Sequence, residues 1–224
     1  MPRSIKLYFD PVSPYVYFAF NQLPRIAKKH NVTFNCVPVL FAGLLNEHGN
    51  VGPAEIVAKR RYTFLDCLRL SEAQGIPFAM PPAHPFNPLL ASRMITAVED
   101  DKHRQIFSAK IVEACWGKGK DLTDSNLLIG IANHMDLDGA ALHAKSSTEI
   151  VKRRLKEHTD QAISRGVFGV PSFFVKDTHE MFWGSDRTDL LELHLEGKLN
   201  PDYHKLEKML NHPKGAERER KPSK

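Results

Sequence analysis

The chain has 224 residues, 42% of them hydrophobic and 25% charged, the profile of one globular domain or of one carrying a large insertion. Most of its formal charge of +5 sits in the stretch Lys214 to Lys224, with five basic and two acidic residues; the body is close to neutral, which argues against nucleic-acid binding. Cys36, Cys67 and Cys115 are far apart with no CxxC pair, and the 11 histidines include no HxxxH pair, so neither a disulfide framework nor a metal site is indicated.

Ile5 to Phe9 alternates as a strand does, and Pro14 to His30 reads as a helix. Pro24 should kink that helix. Val32 to Leu40 is a second strand, with Val32, Phe34 and Cys36 on one face. This β-α-β unit favours a parallel pair. Residues 41 to 52 read as a Gly- and Asn-containing loop. Pro53 to Gln74 reads as a helix ending at Gly75-Ile76-Pro77, and Met80 to Pro88 is too rich in proline for regular structure. Pro88 to Asp101 and His103 to Trp116 read as helices. Another follows from Asp124 to about His134, with Thr123 as its cap. Ser146-Ser147-Thr148-Glu149 reads as a capping box opening a helix that ends near Gly166. Extended structure returns at Pro171 to Val175, turns at Lys176 to His179 and pairs with Glu180 to Trp183. Gly184-Ser185-Asp186 opens a last helix, Arg187 to Glu196, stopped by Gly197.

The order is β-α-β, a helical block, then β-β-α. The expected fold is α/β and thioredoxin-like with an inserted all-helical subdomain. Residues 1–55 and 166–210 would form the thioredoxin-like domain, 56–165 the helical insertion, and 211–224 a disordered basic tail. No stretch approaches the roughly 18 apolar residues of a membrane span. The N-terminus is a poor signal peptide, so a cytoplasmic protein without membrane or nucleic-acid partners is expected.

Four stretches could carry chemistry. In Phe9-Asp10-Pro11-Val12-Ser13-Pro14-Tyr15, Ser13 suits an N-cap and Pro14 the first helical position. A hydroxyl there sits at the positive end of a helix dipole, where an anion or thiolate would be stabilised. In thioredoxin-like proteins this corner carries Cys-Pro-X-Cys; here Ser13-Pro14-Tyr15-Val16 has no sulfur, so thiol chemistry would need a bound molecule. Gly166 to Ser172 places Pro171 just before a strand. In a thioredoxin-like fold that proline would be cis, would face Ser13, and would leave the Val170 backbone able to pair with a peptide ligand. Gly184-Ser185-Asp186-Arg187 could take a carboxylate and an ammonium group. Gly49-Asn50-Val51-Gly52-Pro53, with Lys59 beyond it, offers an amide and a cation. Each stretch also reads as an ordinary cap, turn or solvated helix.

Together, and in this order, they resemble the 2-hydroxychromene-2-carboxylate isomerases and, more distantly, the kappa-class glutathione transferases, over about residues 5 to 200. The resemblance also rests on Val167-Phe168-Gly169-Val170-Pro171, Trp183-Gly184-Ser185-Asp186-Arg187, Pro85-Phe86-Asn87-Pro88 and Trp116-Gly117-Lys118-Gly119. It implies a homodimer that uses glutathione as a cofactor and acts on a small molecule. The resemblance implies that Ser13 donates to the glutathione thiolate and that Val170, before Pro171, pairs with the cysteinyl unit. It implies that Ser185 and Asp186 hold the γ-glutamyl end and that Asn50 and Lys59 lie on the ligand side of the insertion. Phe41, Asn50, Phe86 and Asn87 are acceptor-side candidates. Where the isomerase branch often has Asn, this chain has Ser185, as the kappa branch does. The implied reaction is cis-trans isomerisation of an unsaturated 2-oxo acid or its hemiketal. One alternative is a kappa-like glutathione transferase or peroxidase. The other is a non-catalytic thioredoxin-like scaffold that holds a peptide, against which Ser13, Asn50, Lys59 and Ser185-Asp186 together argue.

Overall fold

A computed structural model describes residues 3–176, 178 and 180–216. Strand β1 (Arg3–Phe9) leads into helix α1 (Pro14–His30), which returns the chain to β2 (Val32–Pro38). Asn31, with φ 50°, caps α1 in the left-handed region and lets the chain turn at once into β2. β3 (Ser172–Val175) and β4 (Met181–Trp183) complete one four-stranded sheet in the order β2-β1-β3-β4. β1 pairs parallel with β2 and antiparallel with β3, which pairs antiparallel with β4. The protein thus has a thioredoxin-like mixed α/β fold.

Between the two halves of the sheet run α2 (Phe41–His48), α3 (Val57–Gln74), α4 (Leu89–Ala97), α5 (Asp101–Val112), α6 (Ser125–Asn133), α7 (Gly139–Ser146) and α8 (Glu149–Ser164). After β4 come α9 (Thr188–Leu195) and α10 (Tyr203–Leu210). β2 packs against α1, α4, α5 and α8. One apolar cluster therefore joins Ile5, Leu7 and Phe173 of the sheet to Met94, Phe107 and Trp116 of the helical block.

Several local expectations need correction. Residues 41 to 48 are helical rather than a loop: Leu44 is buried, and Gly49 at φ 60° closes the helix. Asp124, not Thr123, caps α6, accepting from the Asn126 N–H; the Thr123 hydroxyl is taken by Asp121. Ser146 ends α7, and its hydroxyl donates to the His143 carbonyl, so the cap of α8 is Thr148 two residues later. Helices α7 and α10, capped by Asp138 and Asp202, were not anticipated. Residues 217–224 of the expected disordered tail, and Asp177 and His179 of the expected turn, lie outside the described residues.

A buried carboxylate locks α9 to α1. Glu192 accepts from Arg25, from Lys29 at 2.8 Å and from His30 at 3.0 Å. Burial pushes its pKa up, but these donors outweigh that and hold it at about 2. A carboxyl depressed on folding stabilises above its unfolded pKa and loses that contribution as pH falls through the folded value. Glu192→Gln should therefore cost about 1–2 kcal/mol at pH 7, a modest figure because Arg25 and Lys29 are half exposed. Urea denaturation should show this gap narrowing as pH falls from about 4.5 toward 2.

Candidate active site

The site is built on the turn between β1 and α1. Asp10, 2% exposed, accepts from the Val12 N–H at 3.0 Å and from the Phe41 N–H at 2.9 Å. One carboxylate thus ties the turn to the start of α2. Burial pushes its pKa up to about 6, against the pull of these two N–H donors. The Ser13 N–H donates to the Asp10 carbonyl at 3.1 Å. Ser13 is the N-cap residue of α1, but its hydroxyl makes no capping hydrogen bond. Pro14 at the first helical position has no N–H to satisfy. The hydroxyl is thus left for a ligand at the positive end of a 17-residue helix. Tyr15 anchors the other side of this corner by donating to Asp66 of α3 at 3.0 Å.

A cleft of about 2020 Å³ opens in front of Ser13. It brings together Ser13, Phe41, Asn50, Lys59, Phe86, Asn87 and Val170, each singled out in the sequence. Pro171, Ser185 and Asp186 do not line it. The Ser185 hydroxyl is buried without a partner among the described residues, and Asp186 pairs with Arg187 at 2.8 Å. Along α3 the lining residues are Lys59, Arg60, Thr63 and Phe64, the spacing of one helical face. Lys59 has no ion-pair partner among the described residues. Lys214 and Ala216, beyond α10, reach the same cleft. On the wall Lys59 and Arg60 of α3 stand beside the carboxylates of Asp10 and Glu55. The Lys59 ammonium, without an ion-pair partner among the described residues, suits an anionic group of a ligand.

The Val170–Pro171 peptide is cis. Val170 is buried, and its N–H and C=O have no partner among the described residues. Because Val170 lines the cleft, this unpaired backbone is open to a ligand. His48 at the end of α2 bonds the Val167 carbonyl at 3.0 Å, and Pro171 accepts from the Gly184 N–H at 2.9 Å. This loop is therefore fixed at both ends. Trp183 and Phe168 meet edge to face at 4.8 Å on the same wall. A methyl at Gly169 would lie 2.5 Å from Trp183 Nε1. Gly169→Ala should push the half-exposed Trp183 indole outward. The tryptophan emission spectrum reads this, because Trp116 stays buried; an unchanged spectrum would show that the wall yields elsewhere.

Asp10, Trp183 and His84 are site residues that the sequence reading did not assign. Asp10 and Trp183 stood inside quoted motifs, but their partners are distant in sequence. His84 stands just before the Pro85-Phe86-Asn87-Pro88 motif, in a proline-rich segment with no periodicity to mark it. The chain offers no reactive thiol of its own: Cys36, Cys67 and Cys115 are buried, and burial pushes all three pKa values up, that of Cys67 to about 12.

A thioredoxin-like sheet with serine at its first strand-to-helix corner and a cis proline beside the cleft defines a thioredoxin-like protein without redox cysteines. Residues 4–196 match the DSBA-like thioredoxin domain model. The chain is 30% identical to a 2-hydroxychromene-2-carboxylate isomerase of Sphingobium xenophagum, over 87% of this chain and 99% of that one. It is 30% identical to glutathione S-transferase kappa 1 of Rattus norvegicus, over 85% of this chain and 89% of that one. A solved 2-hydroxychromene-2-carboxylate isomerase superposes with a TM-score of 0.80 at 26% identity, covering 93% of this chain and all of that one. The chain belongs to the DSBA-like thioredoxin-domain family, in the group that holds the 2-hydroxychromene-2-carboxylate isomerases and the kappa-class glutathione transferases.

Proposed function

We propose that the protein is a glutathione-dependent isomerase of the 2-hydroxychromene-2-carboxylate isomerase type. The observation that carries this is the pairing of a Ser13 hydroxyl that makes no cap with an unpaired Val170 backbone in one cleft. A peptide thiol needs both: a strand-like partner for its backbone and a donor for its sulfur. Val170 would pair with the cysteinyl unit, and Ser13 would donate to the thiolate. The α1 dipole would lower the thiol pKa further. Asn50 and Lys59 would take a carboxylate. Ser185 and Asp186 stand outside the cleft lining, so the γ-glutamyl end would have to extend past Trp183 to reach them. Bound there, glutathione would supply a nucleophile that adds reversibly to an unsaturated 2-oxo acid, turning a double bond into a single bond about which rotation is cheap. The chain's own residues orient the acceptor along Phe41, Phe86 and Asn87 and keep the thiol ionised.

Conversion of 2-hydroxychromene-2-carboxylate with glutathione in catalytic amount tests the reading. Turnover without loss of free thiol supports it. Consumption of glutathione one-for-one with an electrophile would favour the second reading, a kappa-like transferase. Equal identity to the rat transferase and the serine at position 185 support that alternative. A homodimer is proposed on the exposed apolar side chains Val57, Tyr62, Leu65 and Leu68 of α3. A cytoplasmic setting is proposed on the three unpaired, buried cysteines.

A further inference from the structure

The peptide unit joining Val12 to Ser13 is held at both ends. Its N–H, that of Ser13, donates to the Asp10 carbonyl at 3.1 Å. Its C=O, that of Val12, lies 3.2 Å from His84 Nε2. The preceding carbonyl, that of Pro11, accepts from Trp116 Nε1 at 2.9 Å. A peptide plane fixed at both ends cannot rotate, and on the far side of the Ser13 Cα the Ser13 carbonyl accepts from the Val16 N–H at 3.1 Å; the two together set the Cα–Cβ direction of Ser13. Two of these restraints come from aromatic N–H groups far along the chain.

The chemistry of His84 fits this task. A carbonyl only accepts, so Nε2 must carry a proton, and in the neutral ring Nδ1 is then bare. Nδ1 is indeed buried, with no partner among the described residues. The ring lies edge-on to Phe64 at 5.6 Å and to Trp116 at 5.3 Å, which fixes its orientation. Burial, and to a lesser degree the Arg60 charge, lowers its pKa and keeps the ring neutral, against the pull of the Val12 carbonyl. His84 itself lines the cleft.

We propose that His84 is a positioning residue for Ser13: by holding the Val12–Ser13 peptide it aims the serine hydroxyl into the cleft. The consequence for the bound thiol rests on the glutathione reading given above. His84→Phe keeps an aromatic ring but loses the donor, whereas His84→Gln restores a side-chain N–H. Ultraviolet absorbance of the glutathione complex against pH reads the thiolate. In His84→Phe the thiolate fraction at neutral pH should fall about three- to tenfold. Affinity for S-methylglutathione, which has no thiol to ionise, should fall by less than the thiolate fraction does, since the donor lost acts on Ser13 rather than on the peptide. His84→Gln should retain most of the thiolate. A wild-type thiolate titration in folded His84→Phe would overturn the proposal. So would an equal loss in both variants, or a parallel loss of S-methylglutathione binding, which would mark a general collapse of the cleft.

Nitrogen NMR of the histidine rings in the unsubstituted protein gives a test that needs no variant. The expected His84 signal is that of a neutral ring protonated on Nε2; protonation on Nδ1 would overturn the proposal even if His84→Phe failed to fold. The expected tautomer together with no thiolate in the wild type would remove the glutathione reading and leave the hold on Ser13 standing.

Discussion

Ser13→Ala should fold like the wild type and lose about 2 to 4 kcal/mol of transition-state stabilisation, a drop of roughly 30- to 1,000-fold in turnover. The fold should not notice, because the Ser13 hydroxyl makes no capping hydrogen bond and the backbone restraints on the turn remain. On the proposed reading, what would be lost is the donor to the glutathione thiolate. Glutathione affinity should change less than turnover, since Val170, Asn50 and Lys59 are untouched. Steady-state rates on 2-hydroxychromene-2-carboxylate, with urea denaturation as the control, separate the two effects. Wild-type turnover at wild-type stability would remove Ser13 from the chemistry.

Asp10→Ala should destabilise the protein by about 2–4 kcal/mol, because the Val12 and Phe41 N–H groups lose their shared acceptor. Its effect should depend on pH in the direction opposite to that of Glu192. The folded pKa of Asp10, about 6, lies above the usual 3.8 of its carboxyl. A group raised in this way stabilises fully below its unfolded pKa and loses that contribution as pH rises through the folded one. The wild type should therefore exceed Asp10→Ala by more at pH 4 than at pH 7, the difference being about 1–3 kcal/mol. Paired urea titrations at the two pH values decide the matter. An advantage that grows from pH 4 to pH 7 would mean Asp10 is an ordinary ionised carboxylate.

Asp10 also shows why only part of this site could be read from the sequence. Ser13-Pro14 is a local signal: a cap and a first-turn proline define a helix start within two residues. The alternation of Ile5 to Phe9 and the valine- and phenylalanine-rich run after Pro171 are equally local, and the sheet follows from them. The binding of Asp10 to Phe41 spans 31 residues and that of Trp116 to Pro11 spans 105. No periodicity reports such pairs. The missed helices fail for a related reason. α2 looks like a loop because Gly43 and Asn46 interrupt its eight residues, yet Phe41, Leu44 and Leu45 recur at helical spacing. α7 is equally short, and its Asp138 cap was the signal available. At residues 121–124 two adjacent candidates competed for one cap, and the carboxylate of Asp124 prevailed because Asp121 had engaged the Thr123 hydroxyl. The cleft itself was visible only as a set of separate motifs. That Asn50 and Val170 share a wall depends on the His48 bond to Val167, across 119 residues.

The measurement that tests the central claim most directly is calorimetric titration of the protein with glutathione, followed by ultraviolet absorbance of the complex near neutral pH. Binding, with the thiol present as thiolate, is the predicted result, and Ser13→Ala should bind with the thiolate signal largely gone. Binding of glutathione as the neutral thiol in the wild type, or no binding at millimolar concentration, would contradict the account.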